Sequence, residues 1–99
     1  MITIKAKIKL FKGKGVRQTS IKSGYRPLFL FDRGSLTSGH ITLIDVEKMN
    51  PGEERTVSIK FLHKDLLGDT FDVNNEFKFY ESKVPLGSGF VLEIYPDIT

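Results

Sequence analysis

The stretch ITIKAKIKL, residues 2–10, decides the fold class, because Ile2, Ile4, Ala6, Ile8 and Leu10 alternate with Thr3, Lys5, Lys7 and Lys9. Successive side chains of a β-strand point to opposite faces, so this spacing puts five aliphatic groups on one side and three lysines on the other. A half-buried strand is the result. The two-residue period recurs along the chain. Leu28-Phe29-Leu30-Phe31 is apolar on both faces and predicts a central strand, while Ile41, Leu43 and Asp45 share one face against Thr42, Ile44 and Val46. Pro51-Gly52 suits a type II turn, after which Val57, Ile59 and Phe61 alternate with Ser58, Lys60 and Leu62. Phe71 and Val73 predict a short strand, Phe77, Phe79 and Glu81 one face of the next, and Phe90 to Tyr95 the last. Residues 12–24 read as a long polar loop, and only HKDLLGDT, residues 63–70, has the pattern of a helical turn, which Gly68 keeps short. Six or seven strands without a crossover helix imply antiparallel connections. The expected fold is all-β, a small closed or nearly closed antiparallel barrel occupying residues 1–99 as a single domain.

A chain of 99 residues with 39% hydrophobic and 27% charged side chains is long enough to bury a core. It is too short for a catalytic domain with a separate binding domain. The absence of cysteine excludes disulfides, thiol nucleophiles and Cys-based metal sites, and fits a reducing compartment. The lysine-interrupted N-terminus carries neither a signal peptide nor a membrane span, so a cytoplasmic protein with no membrane partner is expected. The net charge of +3 is unevenly spread. Residues 1–33 hold nine basic side chains against one acid, Asp32, whereas the other 66 residues hold six bases and eleven acids. Two readings of the lysines stand side by side. Lys5, Lys7, Lys9, Lys12, Lys14 and Lys22 form a candidate basic patch for a phosphate-bearing partner, or they keep an exposed strand from pairing with other chains.

Motifs of catalysis are missing. Residues 34–41, GSLTSGHI, have the glycine spacing of a phosphate-binding loop but lack its lysine and its following helix, so they read as a turn. Gly87-Ser88-Gly89 lacks the strand-to-helix setting of a nucleophile elbow. The two histidines, His40 and His63, are not at chelating spacing, and Asp69, Asp72 and Glu76 miss the calcium-loop pattern. No cofactor, no metal and no enzymatic activity are expected.

Several short segments, in order, resemble the C-terminal, third β-barrel domain of bacterial elongation factor Tu. They are Gly15-Val16-Arg17-Gln18-Thr19, Gly24-Tyr25-Arg26-Pro27, Leu36-Thr37-Ser38-Gly39, residues 46–53 (VEKMNPGE), Phe61-Leu62-His63, Phe79-Tyr80-Glu81 and residues 87–91 (GSGFV). The resemblance spans about Thr3 to Tyr95 and implies a six-stranded antiparallel barrel. In that family the domain grips the T-stem backbone of aminoacylated tRNA, packs on the GTPase domain and meets the nucleotide exchange factor. It therefore implies RNA-binding roles for Arg17, Thr37, His63 and Glu81. The sequence departs from the family pattern at Gln18, Leu28, Ser82 and Val84, where the family has histidine, glutamine, glycine and arginine. A chain of this length has room for neither the GTPase domain nor the second barrel, so a stand-alone barrel is expected. The functional expectation is a non-catalytic module that contacts the backbone of tRNA or another RNA. The alternative is a protein-interaction module that mimics the factor as a decoy, regulator or immunity-type protein and binds a translation-related protein instead of RNA.

Overall fold

The alternation of residues 2–10 becomes a nine-residue strand in the computed structural model, which describes residues 1–13 and 19–96. In this strand, β1 (Ile2–Leu10), all five aliphatic side chains are buried, and Lys5, Lys7 and Lys9 lie on the other face. The remaining strands are β2 (Ile21–Lys22), β3 (Leu28–Phe31), β4 (Thr37–Leu43), β5 (Lys48–Met49), β6 (Glu54–Phe61), β7 (Glu76–Tyr80) and β8 (Pro85–Pro96). Six of them close into an antiparallel barrel in the order β1-β6-β4-β3-β7-β8, with β8 pairing back onto β1. The expected all-β, six-stranded barrel is therefore the observed architecture. Strands β2 and β5 pair separately and bring Ile21 and Met49 into the core.

The core is built around phenylalanine. Phe29 and Phe31 of β3, Phe61 of β6 and Phe77 and Phe79 of β7 are all buried, and their ring centroids approach to between 4.9 and 5.9 Å. Edge-to-face pairs such as Phe29–Phe61, at 82°, suit the ring quadrupoles as well as the burial. These rings need space on the strand beside them, and β8 supplies it. Gly87 stands opposite Phe79 and Gly89 opposite Phe77. A Cβ at Gly87 would lie 2.3 Å from the Phe79 ring and 2.3 Å from the Lys9 carbonyl oxygen; at Gly89 it would lie 2.5 Å from the Lys7 carbonyl oxygen. Only glycine lets the rings lie across β8 while β8 hydrogen-bonds to β1.

Several local expectations need correction. Leu28 and Leu30 are exposed at 39% and 37%, so β3 is buried on one face only, as befits a single barrel with solvent outside. Within residues 34–41 only the first part turns; Thr37 already belongs to β4, whose first partner is Phe29. Phe71 and Val73 form no strand, and the chain instead turns at Val73–Asn74, Asn74 having a φ of 72°. Phe71 still packs edge-on against Phe31, which explains its apolar character without a strand. Residues 21–22 interrupt the expected polar loop with β2. The Asn50–Glu53 turn matches expectation, with Glu53 N donating to Asn50 O at 3.1 Å and Gly52 at a φ of 90°. The helical pattern of residues 63–70 yields one 3-10 turn, Lys64–Leu67, which buries Leu67.

The closure argument makes a direct prediction. Gly87→Ala should lower stability by about 1–3 kcal/mol, read as a lower denaturant midpoint, because its new methyl meets backbone as well as a ring. Ser82→Ala, at an exposed bend, should stay within about 0.5 kcal/mol of the parent.

Candidate nucleic-acid interface

Since inward positions are filled by the core, chemistry is carried by outward side chains, and strand register determines which of them become neighbours. Lys5, Lys7 and Lys9 form a column along the outer face of β1. Carboxylates from the acidic part of the chain flank this column. Lys5 Nζ is 3.9 Å from Glu93 of β8, Lys7 Nζ is 3.1 Å from Glu54 of β6, and Lys9 stands opposite Glu54 in the β1–β6 register. Such exposed pairs contribute about 0–1 kcal/mol each, but they reduce the local excess of positive charge. Lys12 is exposed near the Asn50–Glu53 turn, and Lys22 faces Lys48 across the β2–β5 pair. The structure thus gathers three of the candidate lysines in one column and places Lys12 and Lys22 elsewhere; Lys14 lies outside the described residues.

The barrel surface shared by β4, β6 and β1 has a different composition. His40 of β4 is the register partner of Lys60 of β6, and Lys60 is the partner of Thr3 of β1. On the other side of β4, Ile41 N donates to Tyr25 O at 2.9 Å and Gly39 N to Pro27 O at 3.3 Å, which sets Arg26 beside His40. The next row is Thr42, Ser58 and Lys5. Arg26, His40, Lys60 and Lys5 therefore share this surface with hydroxyls from Thr3, Ser38, Thr42 and Ser58. Among the described residues, no carboxylate stands in these rows on β4, β6 or β1. Sequence reading missed Arg26, His40 and Lys60 as a group because 14 and 20 positions separate them. Only the barrel register reveals that they are neighbours.

The residues implied by the resemblance are not brought together on this surface. Arg17 lies outside the described residues. Thr37 is inward-facing and 4% exposed, so its hydroxyl belongs to the barrel interior. His63 is exposed just before the 3-10 turn. Glu81 is exposed and accepts a hydrogen bond from the Tyr25 hydroxyl, joining the bend after β7 to the segment that carries Arg26.

Two of the concavities on the outer surface bear on these charged side chains. The larger, about 710 Å³, crosses β1, β8, β7 and the end of β3, and its lining mixes Lys7, Lys9, Arg33 and Lys78 with Asp32, Glu54 and Glu76. Neither histidine is among its lining residues. The smaller, about 80 Å³, is lined by Arg26, Ser38, Gly39, His40, Lys60 and Leu62. Among the described residues no group of three or more His, Asp or Glu side chains is arranged to hold a metal ion, and no helix is long and apolar enough to cross a membrane.

At the far end of β6 the turn perturbs a carboxyl group. Glu53 accepts a hydrogen bond from Asn50 N at 2.6 Å and another from Arg55 Nη2 at 3.0 Å. The backbone donor, with smaller help from Arg55 and Lys48, holds the carboxyl below its ordinary value of 4.5. No protein-family model matches the sequence.

A carboxyl lowered in the folded state favours folding above its ordinary value and loses that contribution as pH falls through the folded value. The parent protein should therefore lose melting temperature more steeply than Glu53→Gln as pH falls from about 5 to about 3, measured by thermal denaturation at fixed salt.

Proposed function

We propose that this chain is a non-catalytic binding module that docks on the phosphate backbone of RNA. The observation that carries the reading is the surface on β4 and β6, where Arg26, His40 and Lys60 stand beside the hydroxyls of Thr3, Ser38, Thr42 and Ser58 and, among the described residues, no carboxylate lies on these strands in their rows. Lysine and arginine supply charge for phosphates, and hydroxyls supply hydrogen bonds to phosphate and ribose oxygens, as in backbone-positioning contacts generally. The resemblance to the third barrel of elongation factor Tu supports the same reading, since Glu81 accepts a hydrogen bond from Tyr25, the chain neighbour of Arg26, and His63 follows Leu62 of the small concavity. Arg17 retains the role the resemblance gives it, a forked pair with a backbone phosphate. A cytoplasmic location suits the absence of cysteine and an RNA partner.

A second reading has its own observation. Leu28, Leu36 and Leu62 are exposed at the β3–β4–β6 edge, and Leu28 is the register partner of Ser38. This apolar fringe suits a translation-related protein partner and the mimicry reading.

Binding of tRNA, followed by fluorescence anisotropy at several salt concentrations, separates the two. Backbone docking predicts measurable binding at low salt, a log–log slope of roughly −0.7 to −0.9 per phosphate contacted, and weaker binding by Arg17→Ala. No binding at low salt, or affinity insensitive to salt, would overturn the RNA reading and leave the protein-partner reading.

A further inference from the structure

The small concavity between β4 and β6 has a specific chemistry. Pro27, Gly39, Ile41, Ile59 and Phe61 are buried, which turns the intervening Arg26, His40 and Lys60 outward in one row. Two cationic side chains flank the imidazole of β4, Lys60 from the adjacent strand β6 and Arg26 from the segment that leads into β3, and Ser38 adds a hydroxyl one row away. Like charges set side by side on a sheet face disfavour the folded state unless something compensates them. Along β1 the compensation is internal, at Lys5 with Glu93 and Lys7 with Glu54. Among the described residues Arg26 and Lys60 form no ion pair, and no carboxylate lines the concavity.

We infer that this concavity is the seat of one phosphate group, a deepening of the RNA-backbone reading on which it rests. The guanidinium of Arg26 offers a planar fork of donors, Lys60 a compact positive charge, and Ser38 and His40 further hydrogen bonds, a set suited to a tetrahedral oxyanion. At about 80 Å³ the space is matched to a single phosphate rather than to a nucleobase with its sugar. It opens on the outer face of the barrel, so a phosphate still attached to a nucleotide chain has access. The same chemistry accepts free inorganic phosphate, and the two sources are distinguished by experiment.

Arg26→Gln and Lys60→Gln each remove one charge from an exposed position, with Lys48→Gln as a control on the separate β2–β5 pair. Lys60→Gln also reports on folding: relief of like-charge repulsion should leave its melting temperature unchanged or raised. Inorganic phosphate, added at constant ionic strength against chloride, should shift the backbone amide resonances of Ser38, His40 and Lys60 saturably in the parent and not in Arg26→Gln or Lys60→Gln. A short single-stranded RNA should bind each of these two variants about tenfold more weakly than it binds the parent, and Lys48→Gln like the parent. Saturable phosphate shifts without RNA binding would support the seat for a free oxyanion and overturn the RNA reading. RNA binding that survives both substitutions unchanged would overturn the seat while leaving the RNA reading intact. Absence of both responses would overturn both.

Discussion

The barrel closes because two glycines on its last strand leave room for two phenylalanines on the strand beside it. Phe77 and Phe79 lie across Gly89 and Gly87 while the same stretch of β8 pairs with β1, and the remaining rings pack behind them. A fully buried phenylalanine contributes about 1.5–3 kcal/mol through removal of its surface from water, so the five buried rings are a large part of the driving force. Their bulk is acceptable only where neighbouring positions are small. The pairing of large with small sets how closely β7, β8 and β1 approach, and this in turn fixes the register of the outer face.

Register turns a linear distribution of charge into a surface pattern. Along the chain, bases concentrate in the first third and acids in the rest, a division that suggests one basic and one acidic face. Closure instead places β1 between β6 and β8, so carboxylates from late in the chain flank its lysines. A basic row outside these ion pairs lies instead at the junction of β4 and β6. There it is formed by Arg26, His40 and Lys60, from three separate parts of the chain.

The legible parts of the fold are those whose information is local. The alternation of residues 2–10, the Pro51-Gly52 turn and the inward set Val57, Ile59 and Phe61 each specify their own geometry. Leu28 to Phe31 shows where local reading ends, since four consecutive apolar residues look buried on both faces although Leu28 and Leu30 meet solvent. Phe71 is apolar because it caps Phe31 from a loop, a role that leaves no periodic trace. Ile21 enters the core from a two-residue strand, too short for any period to register. The candidate interface was less legible than the fold. Its basic row depends on which positions of β4 and β6 face one another, and the cross-strand spacing is set by the whole barrel.

Closure also constrains how the protein can be recognised and how it can change. Every barrel strand is paired on both sides over at least part of its length, and along those stretches its backbone is closed to a partner's added strand. Recognition of these doubly paired stretches passes through side chains, which stand in outward rows that contribute little to the core. Inward positions are tied to one another by the fit of ring to glycine, whereas outward ones can be exchanged almost independently. Such a barrel can trade one binding specificity for another by rewriting a single row while its melting behaviour stays nearly constant.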